Sequence, residues 1–271
     1  MVLTLIAAPA VWTQSVQTTG PISKPVVRVV PLTVHYEEIV HKPGRRPATT
    51  QEMILAIRSD GATARVQVFR ALDGVSVIDR RRVIGFPNGD HVEVNDLLKL
   101  VVAVKTRLAL PSEFPTLTAA SSCRTDLAGY PAAPNEVLSG TEVVSGYKTS
   151  VFRRETARAR FTNWRAPDLG CVELRRLTEF KDRDGVISDT SDLRAVRIVR
   201  GEPDTQLFHV DAAYERVSFS ERYRRECQHW RQPIDASVLA RLSRDDLALE
   251  GRWIRDLSTL GKTPRIYTAP R

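Results

Sequence analysis

The chain has 271 residues, which is long enough to bury a substantial core in one large domain or two smaller ones. Charged residues make up 27% and apolar residues 42% of the sequence, the balance of a globular protein. The formal net charge is +8, but the 33 arginines and seven lysines are scattered among acidic residues. Their densest cluster, Arg80–Arg82, lacks neighbouring aromatics, which argues against a nucleic-acid-binding protein.

The N-terminal residues have the pattern of an export signal. Residues 2–12 form a short apolar run, Ala8-Pro9-Ala10 offers an A-x-A cleavage site, and residues 13–20 are polar. The basic residues that usually precede such a run are missing, as in a truncated signal peptide, and an apolar first element of the mature fold is the alternative. The run is too short to span a bilayer, as is every other apolar segment. We expect residues 1–20 to be a signal peptide and linker, and the protein to be exported to the periplasm or beyond.

The first half of the remaining chain predicts β-strands separated by turns. Alternating or β-branched runs are broken by Gly, Pro, Asn and Asp every eight to fifteen residues, as in an antiparallel meander. The predicted strands are 26–30, 33–40, 52–58, 64–70, 75–84 and 91–94. Residues 95–107 fit either a short buried helix or a strand, and periodicity does not decide between them.

The second half resumes the meander after a loop predicted at residues 111–134. Its predicted strands are 141–153, 157–164, 171–181 and 192–200. Beyond residue 220 the sequence is rich in Arg, Leu and Asp at helical spacing, which predicts helices at 221–230 and 236–260. We therefore predict a β domain over residues 26–222 and an Arg-rich, helical C-terminal tail over 223–271.

Three cysteines permit one disulfide in an oxidising compartment. We favour Cys123 with Cys171, because Cys123 lies in a loop-like stretch and Cys171 begins a strand, whereas Cys227 belongs to the polar tail. Spacing alone leaves the other two pairings open. The absence of a CxxC motif argues against a zinc ribbon or a thioredoxin-type redox site.

Candidate catalytic patterns are weak. Ser145 and Lys148 match the S-x-x-K spacing, but that chemistry needs a helix, and the flanking residues predict a strand. The Asp-rich segment 182–192 fits a hairpin turn better than a Ca²⁺ loop. The histidines lack metal-binding spacing, and no nucleotide-binding motif is present. We expect no enzyme activity, no metal and no cofactor.

Three segments resemble a known group of exported proteins: residues 140–148, residues 164–171, and residues 201–208 with Tyr214. They are similar to exported bacterial proteins of unknown function that resemble the LolA/LolB lipoprotein-carrier superfamily, over residues 30–220. The resemblance implies a mainly β (α+β) fold, in which a curved antiparallel sheet forms an incomplete β-barrel covered by a few helices. It also implies an apolar concave face that holds acyl chains. The Arg-rich tail is not part of that pattern.

This resemblance predicts a non-catalytic periplasmic binding module for a lipid, an acyl chain or a lipoprotein. Met53, Leu55 and Ile57 lie on one face of their predicted strand and are the candidate ligand-lining residues. The alternative is a structural or interaction protein of the cell envelope, with a packed barrel and a protein partner. Neither hypothesis involves nucleic acid or a transmembrane span.

Overall fold

The computed structural model describes residues 30–44, 47–71, 73, 76–105, 123, 135–254 and 256–261. The predicted signal peptide at 1–20 lies outside these residues. So do all but the last residue of the strand predicted at 26–30, and all of the loop predicted at 111–134 except Cys123.

Twelve strands and two helices form the described part of the chain. The first six strands are β1 Leu32–His41, β2 Ala48–Ile57, β3 Thr63–Arg70, β4 Val77–Gly85, β5 Asp90–Asn95 and β6 Leu100–Lys105. The others are β7 Val137–Val144, β8 Tyr147–Glu155, β9 Ala159–Ala166, β10 Val172–Lys181, β11 Ile187–Arg200 and β12 Glu215–Arg216. The helices are α1 Phe219–His229 and α2 Ala236–Ala248.

All twelve strands belong to one sheet with the order β12-β6-β5-β4-β3-β2-β1-β11-β10-β9-β8-β7. Within β1–β6 and within β7–β11, strands that follow one another in sequence pair antiparallel, and the long-range pairing of β1 with β11 joins the two halves. The short β12 pairs with β6 in parallel. The predicted fold, a curved antiparallel sheet that does not close into a barrel and carries a few helices, is confirmed.

One predicted strand is in fact a hairpin. Residues 141–153 were expected as a single run, but the structure has a two-residue turn at Ser145-Gly146 between β7 and β8. Both turn residues have positive φ, 50° and 81°, as in a type I′ turn, whose twist matches that of the flanking strands. Glycine favours this conformation, and serine tolerates it here.

In the described part of the ambiguous segment, residues 95–105, a turn at 96–99 is followed by β6. Residues Leu100 to Val104 are buried without alternation, because both faces of β6 are covered. This explains why the sequence showed no strand period there.

Two apolar clusters lie on opposite faces of the sheet. Leu32, Val34 and Tyr36 of β1 stand opposite Ile57, Leu55 and Met53 of β2, and we call the face that carries these six residues face A. The side chain of Ala56 points to the opposite face of the sheet, which we call face B. The second apolar cluster lies on face B and extends from Ala56 through its cross-strand neighbours. Those neighbours are Ala64, Ile84, Val92 and Ala103.

The C-terminal tail packs on the β6 edge of the sheet. Ser218 caps α1 by accepting the Glu221 N–H at 3.2 Å, and the Asp246 carboxylate of α2 accepts the N–H groups of Phe219 and Ser220. The helix predicted at 236–260 ends earlier, at Ala248. No helix of the described residues is long and apolar enough to cross a membrane.

Candidate functional site

An apolar strip on face A contains the three predicted ligand-lining residues. Ile57 is 2% exposed and belongs to the buried cluster, whereas Met53 and Leu55 are only partly buried and pack against its edge. The structure therefore brings the three together on one face, with Ile57 as a core residue and the other two toward the surface. Whether they line a ligand stays a prediction.

Tyr36 connects this strip to the neighbouring strands. Its side chain is almost fully buried, and its hydroxyl donates to the backbone oxygen of Glu173 at 2.7 Å, across 137 residues of sequence. Burial raises the pKa of the Tyr36 hydroxyl, and the charge of Glu173 raises it further. The phenol is therefore neutral at physiological pH and acts as a hydrogen-bond donor within an apolar cluster.

A groove of about 440 Å³ lies on the same face, beyond Tyr36. It follows the cross-strand positions from Glu38 through Arg176 to Asn163. Its lining combines carboxylates, guanidinium groups, small polar side chains and two phenylalanines: Glu38, Glu136, Arg154, Phe161, Asn163, Arg165, Glu173, Arg176, Thr178, Phe180 and Ser191. We call it the charged groove.

Most charged side chains of the groove have a close partner, but within the described part of the chain Arg154 has no ion pair and Arg176 has only a long one. Arg165 donates two hydrogen bonds to Glu136, at 3.0 and 2.7 Å, a pairing that satisfies both groups. Arg154 stacks on the Phe161 ring at 4.4 Å and has no ion-pair partner among the described residues. Arg176 is half exposed and reaches Glu173 only at 3.7 Å. These two guanidinium groups are available to an anion.

Glu173 is the unusual acid of the groove. Burial raises the pKa of its carboxyl group, while the charges of Arg176 and Arg165 act in the opposite direction. A protonated Glu173 would no longer offset Arg176. The groove then gains positive character as the pH falls.

A disulfide joins Cys123 to Cys171, whose Cα atoms are 5.2 Å apart. Cys171 follows a 3-10 turn at Pro167–Leu169, and both it and Gly170 have positive φ. Leu169 of that turn is fully buried in the apolar cluster of face A. The disulfide thus ties residue 123 to the apolar end of the sheet. The third cysteine, Cys227, is a buried free thiol on α1.

A second polar region on face A lies under α1, and the sequence did not predict it. Arg222 of α1 donates to Glu93 of β5 at 2.6 Å. Glu226, one turn later, accepts from Asn95 at 3.0 Å and from Arg81 at 3.2 Å. We call these five residues the helix-docking network. It was missed because its partners are more than 120 residues apart in sequence.

The helix-docking network depends on the charge of Glu93. Burial alone would raise the pKa of this carboxyl group, but a hydrogen bond with His91 and the charge of Arg222 outweigh it and lower the pKa from 4.5 to about 2. Glu93 is therefore ionised at all physiological pH values, and the pair with Arg222 persists.

The patterns that the sequence analysis set aside form structural contacts. The Ser145 hydroxyl, in the β7–β8 turn, donates to the Ala195 carbonyl at 3.0 Å. Asp182 accepts the N–H groups of Asp184 and Val186, each at 2.9 Å, and so closes the β10–β11 hairpin. Among the described residues, no three His, Cys, Asp or Glu side chains are grouped so that they could hold a metal ion.

Face B carries two further depressions. One of about 550 Å³ lies beside the 3-10 turn Thr205–Phe208 and includes Phe86, Phe208 and Leu257 in its lining. The other, of about 690 Å³, lies on β7–β10, with Trp164 stacked under the Arg175 guanidinium at 4.6 Å. We call the second one the face B groove.

No protein-family model matches the sequence, and no curated protein matches it. Several solved structures are similar to it. A structure of the Pseudomonas aeruginosa MucA/MucB complex is 18% identical, over 71% of this chain and 60% of the other, with a TM-score of 0.36. A LolA superfamily protein from Nitrosomonas europaea is 8% identical, over 68% and 92% of the two chains, with a TM-score of 0.27. The lipoprotein LppX from Mycobacterium tuberculosis is 15% identical, over 66% and 90%, with a TM-score of 0.29.

This chain thus spans 60% of the length of the first of these structures. At such TM-scores the similarities carry no conclusion about function. The open twelve-stranded sheet is established by its own strand order and pairing.

Proposed function

We propose that the protein is a non-catalytic binding module for an amphiphile, a lipid or the acyl chain of a lipoprotein, in an exported compartment. The observation that carries the proposal is the continuity of face A: the apolar strip at Met53 and Leu55 leads past Tyr36 to the charged groove. An acyl chain would lie on the strip, and an acidic headgroup would reach Arg154 and Arg176.

The two parts of such a site contribute differently. Apolar contact supplies affinity in proportion to the area removed from water, roughly 25 cal/mol per Å². The guanidinium groups supply selectivity, because they favour carboxylate or phosphate headgroups over neutral ones. The Cys123–Cys171 disulfide supports the exported location, since such bonds persist mainly in oxidising compartments.

The test is a titration of the purified protein with a fluorescent fatty acid, followed by displacement with unlabelled fatty acid or phospholipid. We expect saturable binding that Met53→Asp and Leu55→Asp each weaken about tenfold, equivalent to 1.4 kcal/mol. Leu247→Asp is the matched control, because Leu247 is 71% exposed on α2, away from the strip. Absence of saturable binding, or equal binding by all four proteins, would refute the proposal.

A second comparison tests the headgroup site. The double variant Arg154→Gln, Arg176→Gln should weaken binding of the fatty acid but leave binding of its methyl ester unchanged. Equal losses for acid and ester would assign the guanidinium groups a structural role instead.

A protein-interaction role with a packed interior is the second candidate function. The observation that favours it is the helix-docking network, which fills part of face A with the protein's own side chains. Deleting residues 223–271 removes most of α1 and all of α2. If the tail recruits a partner, this deletion abolishes co-purification of that partner.

A further inference from the structure

The strand β7 ends the sheet with one edge that no described strand covers. Its inner edge pairs with β8, and the strand is eight residues long. Natural sheets protect such edges with lysine, proline, very short strands or a covering element, because exposed backbone N–H and C=O groups recruit another strand. Residues Val137 to Val144 contain no lysine, arginine or proline.

Apolar side chains of β7 are exposed on both faces. Val137 is 62% and Val143 73% exposed, among the highest values for large apolar side chains of the described residues. A bulge between Leu138 and Gly140 disturbs the first half of the strand, so the regular part of the edge runs from Gly140 to Val144.

The hydrogen-bond pattern identifies the outward-pointing groups. Val144 and Tyr147 flank the two-residue turn and therefore form a hydrogen-bonded pair. Along an antiparallel strand, successive residues direct their backbone N–H and C=O groups alternately toward the paired strand and away from it. The Thr149 hydroxyl donates to the Glu142 carbonyl at 2.8 Å, which places that carbonyl on the β8 side. The N–H and C=O groups of Thr141 and Val143 therefore point outward.

The charges around this edge favour an acidic segment. Lys148 stands opposite Val143 on face A, and Arg153 stands opposite Val137 on face B. Neither cation has an ion-pair partner within the described part of the chain. The two nearby carboxylates are already bound, Glu142 to the Trp164 indole N–H at 2.7 Å and Glu136 to Arg165.

We propose that β7 is a docking strand for an extended, acidic segment of a partner protein, which adds to the sheet beside Gly140–Val144. Main-chain hydrogen bonds to Thr141 and Val143 would hold the segment, and its alternate side chains would contact Val143 on face A or the face B groove. Carboxylates of the segment would be attracted to Lys148 and Arg153. A single added strand buries a small area, which suits a weak or transient complex better than a permanent dimer. The proposal does not depend on amphiphile binding, because it rests on the outward backbone groups of Thr141 and Val143 and on Lys148 and Arg153, none of which belongs to the strip or the charged groove.

The first test is amide hydrogen exchange in the free protein, followed by NMR. We expect rapid exchange at Thr141 and Val143 and slow exchange at Glu142, whose backbone faces β8. Protection of Thr141 and Val143 in the free monomer would show that the chain itself covers the edge, and would overturn the proposal.

The second test uses a synthetic octapeptide of alternating valine and threonine with a glutamate at each end. It should bind saturably and protect the Thr141 and Val143 amides. Val143→Lys should weaken binding about tenfold, equivalent to 1.4 kcal/mol, while Leu247→Lys leaves it unchanged. Arg153→Glu should reverse the preference for this peptide over one with terminal lysines.

Three results would overturn this proposal: no binding at millimolar peptide, equal binding by the Val143→Lys protein, or a free protein that sediments as a dimer which Val143→Lys dissociates. The last result would identify a second copy of the chain as the occupant. Melting temperatures confirm that each variant is folded.

Discussion

Two regions of face A are built from opposite kinds of side chain. Around β1 and β2 the face is aliphatic, with Leu32, Val34 and Leu55 in one cluster. Under α1 the same face carries Arg81 and Glu93, matched by charged residues of the helix. The sheet continues without interruption between the two regions.

The difference shows how one sheet can combine an apolar core, which does not depend on charge, with a helix contact that does. Apolar burial is insensitive to pH and to moderate salt, so the strip stays packed under all ordinary conditions. The docking of α1 instead depends on ionised partners, because breaking one member of a partly buried pair leaves the other unsatisfied.

The largest expected effect concerns the disulfide beside the apolar region. Replacing Cys123 and Cys171 with serine releases a link across 48 residues of sequence, which should lower the free energy of unfolding by about 4 kcal/mol. Urea denaturation at pH 7 measures the change. Adding a reducing agent should destabilise the parent protein to the same extent and leave the double variant unaffected. A parent protein insensitive to reduction would contradict this expectation.

A cavity in the apolar cluster should have the next largest effect. Leu174 is fully buried there, so Leu174→Ala should cost about 3 kcal/mol of unfolding free energy. Leu247→Ala, on the exposed side of α2, is the control and should change stability by less than about 0.5 kcal/mol. The Leu174→Ala loss should be the same at pH 7 and pH 4. If the unfolding free energy lost by Leu174→Ala varied with pH, the apolar region would not be insensitive to pH as we expect.

The smallest effect, and the one that depends on pH, concerns Glu93 in the helix-docking network. Glu93→Gln should cost about 2 kcal/mol at pH 7, because it weakens hydrogen bonds to a charged group. The folded-state pKa of Glu93 is lowered from 4.5 to about 2, so its contribution is complete above pH 4.5 and is lost as the pH falls toward 2. The stability difference between the parent and the variant should therefore shrink over this interval.

Urea denaturation between pH 7 and pH 2 measures that difference. Glu250→Gln, which changes an exposed carboxylate after α2, serves as the control and should show no such trend. A constant difference between the parent and Glu93→Gln would mean that the ion pair with Arg222 contributes nothing to the docking of α1.

The sequence predicted the strands well where one face is buried. The residues of β3 alternate with the sheet period, and the turns at Ser59–Gly61 and Phe86–Asp90 contain the expected Gly, Asn and Asp. It left β6 undecided between helix and strand, because burial on both faces removes the alternation. It was wrong at Ser145-Gly146, where a two-residue turn interrupts an apparently continuous run.

The sites were less predictable than the strands because they depend on long-range pairing. Alternation placed Met53 and Leu55 on one face, but only the pairing of β1 with β2 and β11 shows which residues share it. The contact of Glu93 with Arg222 spans 129 residues, and no local pattern encodes such a distance. The free edge of β7 follows from the strand order of the whole sheet.

Amphiphile binding on the apolar strip can be tested most directly by photo-crosslinking. A fatty acid with a diazirine on its chain would be bound, irradiated, and its attachment points mapped by mass spectrometry. We predict labelling of β1 and β2 at Tyr36, Met53 or Leu55, with loss of the label when unlabelled fatty acid competes. Two results would contradict the proposed site. One is labelling that unlabelled fatty acid reduces only at the face B depression around Phe86 and Phe208, and the other is labelling that unlabelled fatty acid does not reduce anywhere.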